Sequence, residues 1–466
     1  MTGDDLCFLS ATELVERYRR RELSPVEVAE AVLARIERVD PALTAFVTVT
    51  PELARAQARS AERAYAGDGD PGPLAGVPIS IKDLTPTKGI RTARGSLLDP
   101  DWIPTEDAPF VERVYAAGAV MLGKTNTPEL GWKGDSGNRL VGPTHNPWRH
   151  GRTAGGSSGG AGAAVAAGFG PLAQGSDGAG SIRIPAAFCG VFGLKPSFGL
   201  VPQYPGSAVG DLSHLGPMTR TVRDAALLLS VVAGADERDR LSWSSGADDR
   251  LVPEGGIAGL RVAWSPNLGY SKVDPEVAKL TGAAVRRFAD LGCEVEEASP
   301  GLPSPWDILD LLWASAMAGY FHGRLAEVRD RLDPGLVDVV ERGQEIRAEE
   351  VMAAQLRRND YYHGMRRFME RFDLLLTPTV PSTAFRAGAD QPEPADGDGD
   401  YLDWTPFTYP FNLTGQPAAT VPCGFADGLP VGLQIVGRWR DDAAVLRAAA
   451  AFEAVAPWAE HRPALG

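Results

Sequence analysis

Two glycine-serine segments and one lysine hold the residue types from which hydrolytic chemistry could be built. The first segment, Gly155-Gly156-Ser157-Ser158-Gly159-Gly160, runs directly into the small-residue stretch AGAAVAAG. A flexible linker of this composition belongs between domains, not before an apolar helix. A phosphate loop would end in G-K-[ST], which is missing. A catalytic loop fits better, because glycines let the backbone approach a substrate and the following helix N-terminus offers N–H groups to an anion. Gly155 to Gly159 also matches the G-x-S-x-G nucleophile elbow, a class that needs a later histidine and an acid to orient it. His214, His322, His363 and His461 follow, none in a distinctive setting, and each reads as structural.

The second segment, Gly175-Ser176-Asp177-Gly178-Ala179-Gly180-Ser181-Ile182-Arg183, puts a serine after consecutive small residues. Such a run can turn several backbone N–H groups toward one point, as an oxyanion hole requires, and it can equally be a tight structural turn. Lys82 closes the stretch PLAGVPISIK. A lysine at a strand end is ordinarily a solvated charge, and a base only when buried.

The chain that must position these groups has 466 residues, 44% hydrophobic and 23% charged, enough for a sizeable core in one large α/β domain. Its formal charge of −14, from 60 acidic residues against 46 Lys and Arg, argues against nucleic acid and for a small-molecule substrate. Cys7, Cys189, Cys293 and Cys423 form no ligand spacing, so no metal site or disulfide framework is predicted. The N-terminus lacks the features of a signal peptide, and no window holds 18 consecutive apolar residues. A cytoplasmic protein, with no membrane partner, is the expectation.

Ser10 to Glu13 and Ser24 to Glu27 read as capping boxes, the second with Pro25 at the first helical position. Val28, Val32, Leu33 and Ile36 then form one buried helical stripe. Val77, Ile79 and Ile81 alternate with small or polar residues, predicting a half-buried strand that ends at Lys82. FVERVYAAGAVMLG at 110–123 reads as helix then strand, and Thr221 to Ala233 as helix. GLRVAWSP at 259–266 and FDLLLTPTV at 372–380 read as strands. Residues 236–255 read as a surface excursion and 383–400 as a long acidic loop. Four blocks result: N-terminal helices at 1–70, a catalytic core at 71–235, a mainly helical substrate side at 236–370, and the C-terminal part of the sheet at 371–466.

Lys82 in GVPISIKD, Ser157 in GGSSGG and Ser181 in GSDGAGSIRIP resemble, in order, the three signature elements of the amidase signature family. The serines stand 24 residues apart, the separation associated with that family's pair. The similarity continues through GPTHNPW at 142–148, GLKPSFGLVP at 193–202, HLGPMTRTVRDAALLL at 214–229 and NLTGQPAATVPCGFADGLPVGLQIVG at 412–437, most of the chain.

The resemblance implies an α/β fold whose central, mixed, twisted sheet is covered by helices on both faces. It implies that Ser181 is acylated and that Ser157, after a cis peptide bond, bridges it to Lys82. The N–H groups of Gly178, Ala179, Gly180 and Ser181 would hold the oxyanion. Ser158, Asp177 and Arg183 would support the loop, and Trp132 and Gly134 would lie on the substrate side. No cofactor and no metal are implied. Lysine can act as the base only when neutral, and burial away from carboxylates lowers its pKa from about 10.4 by several units. Strand alternation points Asp83 the other way, which excludes it from the relay.

Two departures from the family pattern stand out: Ala179 where glycine is usual, and Trp132-Lys133-Gly134-Asp135-Ser136 where a small-residue segment is frequent. Ala179 is tolerable only with negative φ. The reaction expected is hydrolysis of a carboxamide, anilide or carbamate, with esters open to the same acyl-enzyme. Specificity is expected from 305–365 and 383–408, where Trp306, Trp313, Tyr320 and Trp404 lie, most of them simply packed. A glutaminase subunit of a tRNA-dependent amidotransferase is the alternative, opposed by the helical stretch at 341–362. A scaffold without activity is opposed by the intact Lys82, Ser157 and Ser181.

Overall fold

Both capping boxes form. Ser10 Oγ accepts from the Glu13 N–H while the Glu13 carboxylate accepts from the Ser10 N–H, opening helix Ala11–Arg19. Ser24 does the same for helix Pro25–Leu43, whose stripe Val28, Val32, Leu33 and Ile36 is buried. The computed structural model describes residues 3–67, 70–244, 253–393 and 402–465. Parts of the predicted excursion at 236–255 and of the loop at 383–400 therefore lie outside the described residues.

The strands are β1 Phe46–Val49, β2 Pro78–Lys82, β3 Val120–Thr125, β4 His145–Asn146, β5 Arg149–Thr153, β6 Leu172–Asp177, β7 Phe192–Lys195, β8 His214–Thr219, β9 Arg261–Trp264, β10 Glu294–Glu297, β11 Leu374–Pro378, β12 Ala418–Ala426 and β13 Leu429–Gly437. β4 and β5 pair with each other. The other strands form one 11-stranded sheet, β1-β3-β2-β6-β8-β7-β12-β13-β11-β9-β10. β2 runs parallel to β3 and β6, and β9 parallel to β10 and β11. The remaining pairs are antiparallel, so the sheet is mixed, as expected. One sheet threads all four sequence blocks. It includes β1 in the N-terminal block and two strands, β9 and β10, in the block read as mainly helical.

Alternation along β2 sets the catalytic side. Ile79 and Ile81 enter the core beneath helices Pro109–Ala116, Val222–Val232 and Asp442–Val455, each buried side chain stabilising by roughly 1.5–3 kcal/mol. Lys82 therefore emerges on the opposite face, toward helix Gly159–Ala166. That helix is buried along its whole length, which only its small residues permit. A Cβ on Gly160 would stand 2.3 Å from the Asn126 nitrogen and 2.5 Å from the Ala45 carbonyl oxygen, so helix backbone meets neighbouring backbone directly. Among the described residues no helix is long and apolar enough to cross a membrane.

Candidate active site

Lys82 is fully buried, and its Nζ lies 2.6 Å from Ser157 Oγ, 2.9 Å from Ser158 Oγ and 2.9 Å from Ser176 Oγ. The surroundings fix how protons are shared. Ser158 Oγ donates to the Ser176 carbonyl oxygen at 3.1 Å and accepts from the Ser176 N–H at 3.2 Å. Its hydrogen is thereby committed, and toward Lys82 it can only accept. Ser157 Oγ has no other hydrogen-bond partner among the described residues, which leaves its hydrogen free for a lone pair on nitrogen. A neutral amine donating to Ser158 and Ser176 and accepting from Ser157 fits these contacts. Burial pushes the Lys82 pKa well below the ordinary lysine value, opposed only by the more distant charge of Asp177.

The serine loop is held from two sides. The Gly156–Ser157 peptide is cis. Ser136 Oγ donates to the Ser157 carbonyl oxygen at 3.1 Å and accepts from the Gly159 N–H at 2.8 Å. The Ser158 N–H donates to the Ser181 carbonyl oxygen at 3.2 Å, which ties the two serine segments together through the backbone. No hydrogen bond joins Ser157 Oγ to Ser181 Oγ. Catalytic contacts of this kind commonly tighten only with substrate bound.

Asp177 organises the nucleophile loop from within. Its carboxylate accepts from the Gly180 N–H at 2.7 Å, the Ile182 N–H at 3.1 Å, Arg183 at 2.9 and 3.0 Å, and Asn412 Nδ2 at 2.8 Å. Arg183 also donates to the Thr408 carbonyl oxygen, Gln434 Oε1 and Asn412 Oδ1. Both side chains are completely buried, so this is not a surface ion pair. The Arg183 charge holds the Asp177 carboxyl far below the usual carboxylate range despite burial.

This geometry separates the residues expected at the oxyanion hole. The Gly180 N–H donates to Asp177 at 2.7 Å, whereas the N–H groups of Gly178, Ala179 and Ser181 donate to no described residue. Gly180 is required for another reason. Its φ is +131°, and a Cβ there would stand 2.4 Å from Thr408 Oγ1. Ala179 is not among the residues with positive φ, so the departure from glycine strains nothing. Trp313 covers Gly178, 3.0 Å from where a Cβ would project.

Trp132 is 1% exposed, its ring lying against Gly335, and Gly134 sits beneath the indole of Trp404. Both are enclosed. The surface beside Lys82 is offered instead by a cavity of about 140 Å³ lined by Ser176, Leu84, Leu130, Arg94, Trp102 and Tyr320, among others. A larger hollow of about 330 Å³, between Trp148, Phe425 and Trp458, contains none of the site residues. Asp83 turns away from Lys82 and accepts the Arg94 N–H at 2.9 Å.

Of the histidines, His322, His363 and His461 are exposed and remote. His214 is buried on β8, with Nδ1 2.9 Å from the Leu212 carbonyl oxygen and its pKa driven well below the ordinary value by burial. Ser176, Ser136, Thr408, Asn412 and Gln434 escaped the sequence reading. Gln434, a polar residue inside the apolar run LPVGLQIVG, carried a visible signal.

A model of the amidase family matches residues 27–446. The sequence is 44% identical to an acylamidase of Rhodococcus erythropolis, over 100% of this chain and 99% of that one. It is 38% identical to a glutamyl-tRNA(Gln) amidotransferase subunit of Methylococcus capsulatus, over 97% and 98% respectively. A bacterial aryl acylamidase of the amidase signature enzymes has the same fold, with a TM-score of 0.90, 34% identity and 97% of each chain covered.

Proposed function

Since the chain belongs to the amidase signature family and is an amidase, a hydrolase of carbon–nitrogen bonds other than peptide bonds, we propose that it cleaves small carboxamides, anilides or carbamates through an acyl-enzyme on Ser181. Esters are open to the same route. The observation that carries this reading is Lys82, buried without a carboxylate partner and surrounded by three serine hydroxyls.

In the proposed reaction neutral Lys82 takes the Ser157 proton as Ser157 takes that of Ser181, whose Oγ attacks the substrate carbonyl carbon. The N–H groups of Gly178, Ala179 and Ser181 receive the oxyanion. Collapse breaks the C–N bond, and the proton returns through Ser157 to the departing amine. Water, deprotonated by the same relay, then attacks the acyl-enzyme and releases the acid. Asp177 and Arg183 support the loop without entering the proton path.

The acylamidase likeness at 44% identity, against 38% for the amidotransferase component, orders the two readings in favour of a stand-alone amidase. Screening aliphatic amides, anilides, carbamates and esters, with Ser181→Ala as control, tests it. Amine release by the wild type alone is expected. A wild type inert on every class, yet releasing ammonia from glutamine, would transfer the assignment to the amidotransferase reading.

A further inference from the structure

The cavity that opens onto Ser176 has one charged lining residue among those described, Arg94, and no acidic one, in a chain whose net charge is −14. Its guanidinium carbon lies 4.8 Å over the Trp102 ring. One terminal nitrogen donates to Tyr320 Oη at 3.2 Å and the other to the exposed carboxylate of Asp99 at 3.2 Å. Nε is buried and has no partner among the described residues. The guanidinium is thus fixed by stacking and by its ends, with its buried Nε–H unsatisfied.

The backbone holds Arg94 in place at a conformational cost. Its φ is +57°, a left-handed conformation that suits glycine or asparagine better than arginine. Two hydrogen bonds enforce it: the Arg94 N–H to Asp83, directly after the candidate base, and the Leu130 N–H to the Arg94 carbonyl oxygen at 2.9 Å. An arginine in a strained conformation, beside the candidate base and aimed along a cavity wall, is a pattern found at ligand-binding positions.

We propose that Arg94 is a specificity residue that binds a carboxylate carried by the substrate, on the portion lying against Leu84, Leu130 and Trp102. A guanidinium fork matches a carboxylate in shape and charge, and Asp99, being exposed, can yield its share of the fork. The preferred substrate class is then an amide or anilide with an anionic group remote from the bond that breaks, and cationic analogues are disfavoured. The inference rests on the amidase reading above.

The test is protection of Ser181 from a fluorophosphonate probe by three anilides: 4-acetamidobenzoate, neutral acetanilide and 4-acetamidobenzylamine. In the wild type the carboxylate protects at a concentration about tenfold or more below the amine. Arg94→Met and Arg94→Gln erase that ratio, Arg94→Lys keeps part of it, and Asp99→Asn widens it, each variant first checked for a cooperative thermal transition. Equal protection by all three compounds in the wild type, or a ratio that survives in the folded Arg94 variants, overturns the proposal. If Ser181 is not labelled in the wild type, the amidase mechanism fails and takes this inference with it. Normal labelling without a charge preference defeats this inference alone.

Discussion

Lys82 Nζ stands 2.6 Å from Ser157 Oγ, and no salt bridge reaches that amine among the described residues. The pairing matters because a charged amine at this position would hold its protons and leave Ser157 without an acceptor. Burial disfavours the charge. The same burial that makes Lys82 unfavourable for folding lowers its pKa and suits it to the proposed role of base.

Replacing Lys82 by Met is expected to lower kcat by about 10²–10⁴-fold, the usual contribution of a general base, with KM little changed. Lys82→Arg should fail equally, because a guanidinium cannot give up its proton. Steady-state kinetics on the best substrate of the screen measures both. Thermal melting of Lys82→Met should show only a small change, since relief from burying the amine offsets the loss of its hydrogen bonds to Ser157, Ser158 and Ser176.

The pH dependence follows from the depressed Lys82 pKa. Activity should rise with pH as the folded-state amine deprotonates, well below the value of a free lysine. Stability follows from the same shift. Between the lowered folded pKa and the unfolded value near 10.4 the unfolded chain binds the extra proton, so the Lys82 contribution improves as pH rises through that window. Urea unfolding of wild type against Lys82→Met, compared across that window, reads the difference. The account requires the wild-type slope to be the steeper one.

Asp177→Asn strands the Arg183 guanidinium in a fully buried site and weakens its hold on the Gly180 and Ile182 N–H groups. Breaking a buried pair from one side costs about 3–5 kcal/mol. A large drop in the urea midpoint is expected, together with loss of activity. In the wild type the folded Asp177 pKa is depressed. Its stabilisation is present above the unfolded value near 3.9 and is lost as pH falls through the lower folded value.

Ser157 and Ser158 are adjacent, both buried and both within hydrogen-bond distance of Lys82, yet their hydrogen bonds separate their roles. Ser158 has its hydrogen committed to the Ser176 carbonyl oxygen, whereas Ser157 has its own free for Lys82. Ser157→Ala should therefore reduce kcat by about 10²–10⁴-fold. Ser158→Ala removes one neutral hydrogen bond to the amine and should cost about tenfold in rate or less. Comparable losses in the two variants would contradict the proton assignment.

Much of the framework was legible because local rules and packing agree. The capping boxes at Ser10 and Ser24, the strand ending at Lys82 and the small-residue helix after Ser158 each follow from spacing alone, although that strand, expected to be half-buried, is buried on both faces. β10, with the sequence Glu-Val-Glu-Glu, was not legible because an exposed edge strand needs no apolar alternation. The amidase resemblance brought Lys82, Ser157 and Ser181 together. It did not reveal that Gly180 gives its N–H to Asp177, a choice made by the three-dimensional turn.

The groups that brace Arg183 were hidden for a different reason. Thr408, Asn412 and Gln434 lie more than 220 residues further along the chain, and only the packing of the loop and helix at 402–413 and of β13 brings them to the ion pair. Trp132 and Gly134, placed on the substrate side by the family resemblance, are both buried, Trp132 against Gly335 and Gly134 against Trp404 and Gly156.

The central claim is that Ser181 is the nucleophile and that neutral Lys82 activates it through Ser157, without histidine. Its most direct test is the rate of acylation by a fluorophosphonate probe, with the modified residue located by peptide mass spectrometry, in wild type, Lys82→Met and His214→Gln. The account predicts modification at Ser181, a rate that rises with pH in the wild type, a rate about 10²–10⁴-fold lower and nearly independent of pH in Lys82→Met, and retained labelling in His214→Gln. Modification at another residue, or labelling that survives in Lys82→Met and disappears in folded His214→Gln, would contradict it.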